Sequence, residues 1–198
     1  MAKIFVSTAP FAETHRYPTD LLDDNGISYQ MNPTGRRLRE DEVIELIAES
    51  EVLIAGTEPI TGAVMEAAPN LRLISRVGVG LDNVDLTAAK SRGIEVSYTP
   101  NAPAPAVADL SIGLILSLLR NIHSSNLQLR SGLWQRTVGR RLATVTVGII
   151  GVGRIGRRVT ESLNRLGTRK ILVNDSVESQ LAPVSVFTQS VSKEEIYR

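Results

Sequence analysis

No cysteine occurs in the 198 residues, which excludes disulfides, zinc thiolates and cysteine nucleophiles. Aromatic residues make up 4% of the chain, with one tryptophan, Trp134. The first ten residues, MAKIFVSTAP, carry one lysine and too short an apolar run for a signal peptide. The most apolar segment, 102–119, contains Asp109 and is interrupted by proline and glycine. It falls short of the ~20 residues that span a bilayer, so it is expected to form a buried helix. These features predict a cytoplasmic protein with no membrane partner. Acidic residues are missing from 110–160, a stretch that holds eight arginines between Arg120 and Arg158. Basic stretches can bind nucleic acid, but these arginines form no dense run and Trp134 is the one aromatic among them. No nucleic-acid partner is predicted. A solvated face, an acidic partner subunit or the field around a dinucleotide phosphate site accounts for the charge better. The remaining composition, 42% hydrophobic and 22% charged, is that of an ordinary soluble protein of one or two domains.

What the chain does contain is TVTVGIIGVGRIG at 144–156. An apolar run, Val145 to Ile150, enters Gly151-Val152-Gly153-Arg154-Ile155-Gly156, and a helical pattern opens behind it. That order is the strand, glycine turn and helix of a dinucleotide-binding βαβ unit. Gly151 permits the tight turn, Gly153 lets backbone approach a pyrophosphate, and Gly156 lets the helix pack close to the sheet. The helix N-terminus offers free N–H groups and a positive dipole end to the phosphates. Ile155, Val159, Leu163 and Leu166 share one helix face, and Gly167 suits the C-terminal cap. A second apolar strand, 171–173, leads to Asp175, 19 residues after Gly156. The ribose-binding acid of such units lies about 20 residues on. A carboxylate there accepts from both ribose hydroxyls and repels a 2′-phosphate, so the predicted cofactor is NAD and not NADP.

The first hundred residues alternate strand and helix signals. Strands are expected at 3–7, 28–32, 52–55, 71–77 and 94–98, and helices at 18–25, 41–50, 60–68 and 86–92. This alternation predicts a parallel sheet with helices on both faces. Three prolines in the segment Thr99 to Pro105 exclude a helix or sheet interior and mark a hinge between domains. A helix buried on several sides is expected from about Ala106 to Leu129, followed by an irregular polar stretch to Ala143. A second glycine turn, Arg76 to Asn83, follows a predicted strand. Its glycines would expose the N–H groups of Val79 and Gly80 to a carboxylate or phosphate. Read from the residues alone, a tight turn without a ligand is the stronger alternative.

Four stretches together resemble the D-isomer-specific 2-hydroxyacid dehydrogenases, most closely their phosphoglycerate dehydrogenase branch. They are RVGVGLDNVDLTAAKSRGIEV (76–96), TPNAPAPAVADLSIGLILSLLRNI (99–122), SGLWQ (131–135) and TVGIIGVGRIGRRV (146–159). The resemblance implies an α/β chain. Residues 1–98 would form the front of a flavodoxin-like substrate or lid domain. Residues 99–198 would form the first half of a Rossmann NAD-binding domain, with a helical dimerisation arm at about 106–143. By resemblance, Val79 and Gly80 contact the substrate carboxylate, and Val79 also lies on the nicotinamide side of the cofactor. Arg154 and Ile155 match the pyrophosphate-binding pair, Asp175 matches the ribose acid, and the region of Trp134 matches a homodimer interface. The implied substrate is a small 2-hydroxy or 2-oxo acid.

Two departures qualify the likeness. Asp109 stands where the family has Glu. The family's catalytic Arg, Glu and His follow the ribose acid, whereas the histidines here are His15 and His123, and neither matches. No catalytic residue is assigned. The expectation is a truncated NAD-dependent oxidoreductase acting on the CH–OH group of a D-2-hydroxy acid, without turnover on its own. The alternatives are a non-catalytic NAD-responsive binding protein of the corepressor type, or the inactive product of a broken gene.

Overall fold

The computed structural model describes residues 3–177 and 188–198. The chain divides into two compact units, Met1–Ala102 and Pro103–Arg198, and the division falls inside the proline segment. Both units are α/β with wholly parallel sheets.

The first unit runs β1 (Ile4–Val6), α1 (Tyr17–Asp24), β2 (Tyr29–Met31), α2 (Glu40–Ile47), β3 (Val52–Ala55), α3 (Gly62–Ala67), β4 (Leu73–Arg76), α4 (Leu86–Ser91) and β5 (Glu95–Tyr98). The strand order is β2-β1-β3-β4-β5, the flavodoxin-like arrangement. Strand side chains alternate between faces, and the inward ones of the central strands (Phe5, Leu53, Ile74) are fully buried. Val43 and Ile47 of α2 and Val64 and Met65 of α3 complete that core. The helix expected at 60–68 begins later, because Thr61 caps it: its hydroxyl accepts the Val64 N–H at 3.4 Å. Ile60 instead stays extended and bridges Val84.

The second unit runs α5 (Ala104–Leu119), α6 (Ile122–Arg130), a 3-10 turn (Leu142–Thr144), β6 (Thr146–Ile150), α7 (Arg154–Arg165), β7 (Lys170–Asn174), β8 (Thr188–Ser190) and α8 (Lys193–Ile196). Its sheet order, β6-β7-β8, is one mononucleotide-binding half of a Rossmann sheet. Its core joins Ala108 of α5, Ile149 of β6, Val159 and Leu163 of α7, and Ile171 and Val173 of β7.

Two expectations need correction. The single helix at 106–129 is two helices bent by 64°. Asn121 takes the left-handed conformation at φ 54°, which asparagine tolerates better than most residues. The break is held from outside: Asn121 Nδ2 donates to Val138 O at 3.2 Å and the Arg140 N–H donates to Leu119 O at 2.8 Å. Nor is α5 buried on several sides. Ala104 and Ala108 are buried, but Leu110, Leu114 and Leu118 are 61%, 56% and 79% exposed. One face of α5 packs toward α7 and the sheet, and among the described residues the opposite face is left exposed. No single described helix is long and apolar enough to cross a membrane.

Candidate functional site

In the second unit the glycine turn links the end of β6 to the start of α7, at the carboxyl edge of the sheet. Gly151 has φ 91°, a conformation that disfavours any side chain. Its N–H donates to Asn174 O at 2.8 Å, which docks the turn onto the end of β7. Val152 is buried. Gly153 is the N-cap of α7, and no side chain caps that helix. Among the described residues no side chain occupies the first-turn N–H groups, which can face an anion, and no acidic side chain stands in that turn. A Cβ on Gly156 would collide with the Gly151 carbonyl oxygen, whereas a Cβ on Gly153 would meet nothing within 4 Å. Gly156 is thus required by packing, and Gly153 leaves open space in front of the helix. That cradle fits a pyrophosphate. Arg154 is exposed at its rim. Ile155 is 39% and Leu166 50% exposed, so the expected apolar stripe of α7 is buried only in its middle, at Val159 and Leu163.

Asp175 follows directly on β7 and faces the same turn. Its Oδ2 accepts the Val152 N–H at 2.6 Å and its Oδ1 accepts the Val177 N–H at 2.8 Å. The Val177 bond and then the Val152 bond hold its carboxyl below the usual carboxylate range. The group is therefore anionic at neutral pH. Each oxygen keeps a further lone pair, so two more hydrogen bonds can be accepted. The bond to Val152, which ties Asp175 to the glycine turn, is not evident from sequence spacing.

Gly151, Gly153, Arg154, Ile155, Gly156 and Asp175 are brought together in the second unit, while Val79 and Gly80 lie in the first. There the chain leaves β4 at Arg76 and turns at Gly78, with φ 151°. Among the described residues, the N–H groups of Val79 and Gly80 donate to no protein acceptor. Both residues are exposed, so the loop presents two adjacent free donors. Sequence reasoning did not single out Arg76, which is buried beneath this loop and donates through Nε to Asn83 Oδ1 at 3.3 Å. Nor did it single out Asn83, whose Nδ2 donates to Gly56 O at 3.1 Å and Glu58 O at 2.7 Å. An arginine and an asparagine flanking a glycine loop were the available signal. His15 accepts the Tyr17 N–H before α1, and His123 lies on α6. Among the described residues no group of three or more His, Asp or Glu could hold a metal ion.

Residues 5–196 match the family model described as "D-isomer specific 2-hydroxyacid dehydrogenase, catalytic domain". A hydroxypyruvate reductase of Thermotoga maritima is 36% identical over 169 residues, which are 81% of this chain and 55% of that protein. The TT0316 protein of Thermus thermophilus superposes with a TM-score of 0.84 at 29% identity, over 98% of this chain and 61% of that one. The NAD+-bound 3-phosphoglycerate dehydrogenase of Entamoeba histolytica gives a TM-score of 0.74 at 28% identity, over 99% and 59%. The chain therefore spans a little over half the length of these proteins.

Proposed function

The chain belongs to the D-isomer specific 2-hydroxyacid dehydrogenase family, and from that premise we propose that it supplies the NAD-binding half-site and the carboxylate loop of a D-2-hydroxyacid dehydrogenase. The observation that carries this is the uncapped start of α7 beside an ionised Asp175. When bound, NAD supplies the hydride acceptor for oxidation of a 2-hydroxy acid, or as NADH the donor for reduction of a 2-oxo acid. The α7 N–H groups and Arg154 would hold the pyrophosphate, and Asp175 the ribose hydroxyls. Val79 and Gly80 would orient a small 2-hydroxy or 2-oxo acid by its carboxylate. The Thermotoga and Entamoeba proteins, by their names, act on acids of this kind.

Asp175 makes the cofactor choice testable. Its carboxylate would face the 2′-phosphate of NADP, and charges at contact distance near a surface interact by ~1–4 kcal/mol. The chain should bind NAD at least about fivefold more tightly than NADP, and Asp175→Ala should narrow that gap. Calorimetric titration of both proteins with both cofactors checks this. Equal affinity of the unmutated chain for NAD and NADP would overturn the assignment.

We also propose a homodimer through α5, α6 and the segment around Trp134. Leu118, Ile122, Leu129 and Leu133 are all at least half exposed, and Trp134 is 89% exposed. Exposed large apolar side chains in such number mark an interaction site, and tryptophan is a frequent anchor. Light scattering should give twice the chain mass, falling to one chain mass in the double variant Trp134→Ala, Leu129→Asp. A monomeric unmutated protein, or a dimer that survives both changes, would refute this interface.

A further inference from the structure

Thr99 opens the proline segment that leads out of the first unit, and it is bonded three times to one glycine of the carboxylate loop. Its backbone N–H donates to Gly78 O at 3.0 Å. Its hydroxyl oxygen accepts the Gly78 N–H at 3.0 Å and donates to Gly78 O at 3.1 Å. The Gly78 N–H is shared with Arg76 O, also at 3.0 Å. The Arg76 guanidinium also lies against Gly78 and donates to Val77 O. A side chain on Gly78 would collide with it. The peptide that precedes the two free donors is thus held between a buried arginine and an exposed threonine. The arginine side is anchored inward through Asn83. The threonine side is anchored in the connecting segment.

Adjacent backbone donors act as an anion site only when both converge on one point, and rotating the peptide before them re-aims both. We propose that Thr99 is a positioning residue of the carboxylate site: its hydroxyl fixes the Gly78 peptide and thereby aims the N–H groups of Val79 and Gly80. The affinity for a 2-oxo acid then depends on the conformation of the segment that begins at Thr99. This rests on the reading of Val79 and Gly80 as the carboxylate loop.

The test compares the full chain with Thr99→Val, which keeps the shape and loses the hydroxyl, and with Thr99→Ser, which keeps the hydroxyl. Thr99→Ala, also without the hydroxyl, must agree with Thr99→Val. Two quantities are read by amide NMR: exchange of the Gly78 N–H, and the Kd for pyruvate from the shifts of the Val79 and Gly80 amides. One exposed hydrogen bond corresponds to about three- to tenfold. Thr99→Val should speed Gly78 exchange and weaken pyruvate binding by that factor, and Thr99→Ser should restore both. Equal pyruvate affinity in all variants, or a Thr99→Ser variant as weak as Thr99→Val, overturns the proposal while the carboxylate loop stands. An unmutated chain whose Val79 and Gly80 amides ignore pyruvate overturns both.

Discussion

Supplied with NADH and hydroxypyruvate, a purified polypeptide of these 198 residues is expected to give no turnover above about a hundredth of ordinary enzyme rates. Reduction of a 2-oxo acid requires a proton for the developing alkoxide as the hydride arrives. A positioned acid that supplies it typically contributes ~10²–10⁴-fold. The resemblance assigns that proton to a histidine supported by a glutamate, with an arginine on the substrate carboxylate. This polypeptide supplies His15, whose ring accepts the N–H of Tyr17 at the start of α1, and His123, on α6. Neither is part of the turn at Val79–Gly80 or of the turn at Gly151–Gly156. Binding groups alone orient substrate and cofactor but leave the proton to water. The assay follows NADH absorbance, with the mass of the protein confirmed. Ordinary rates from material of 198 residues would show that an acid within these residues is used and would refute the expectation.

Gly156→Val should abolish NAD binding and also lower the melting temperature. A Cβ at this position runs into the Gly151 carbonyl oxygen, which is backbone and cannot rotate away. The start of α7 must therefore move off the turn, and its N–H groups move with it. Overpacking of this kind costs ~1–3 kcal/mol of stability. For a unit of about a hundred residues that corresponds to roughly 4–8 °C per kcal/mol. Gly153→Ala separates packing from binding, because its Cβ meets nothing within 4 Å. It should melt with the unmutated chain yet bind NAD at least about tenfold more weakly, since the methyl enters the space left for the pyrophosphate. Melting curves and NAD titrations of the two variants check the pair. If Gly156→Val bound NAD normally, the proposed geometry of the turn would be refuted.

Much of this architecture was legible in sequence because its signals are local. The apolar run Val52 to Ala55 is β3 residue for residue, and the glycine spacing at 151–156 by itself marks the strand-to-helix turn. What escaped depends on contacts distant in the chain. Nothing at Arg120-Asn121 announces a helix break, as neither residue is glycine or proline. The bend relies on bonds to Val138 and Arg140, nearly twenty residues further on. β8 is a three-residue polar strand, Thr188–Ser190, defined by pairing with β7 and not by any apolar pattern of its own. The distance of Asp175 from the glycines was visible, but its bond to Val152 arises only because β6 and β7 end side by side. The exposure of Leu114 and Leu118 is hidden in sequence for a similar reason. A largely apolar helix looks the same in sequence whether its own chain covers it or another surface does.

The central claim is that the start of α7 together with Asp175 holds NAD. Its most direct test is a titration of the isotope-labelled chain with NAD, followed by amide NMR. Saturable shifts concentrated at Val152 to Gly156 and at Asp175, with NADP producing them only at higher concentration, are the predicted result. Amides of the glycine turn that stay unmoved at saturating NAD, or shifts confined to other parts of the chain, would contradict it.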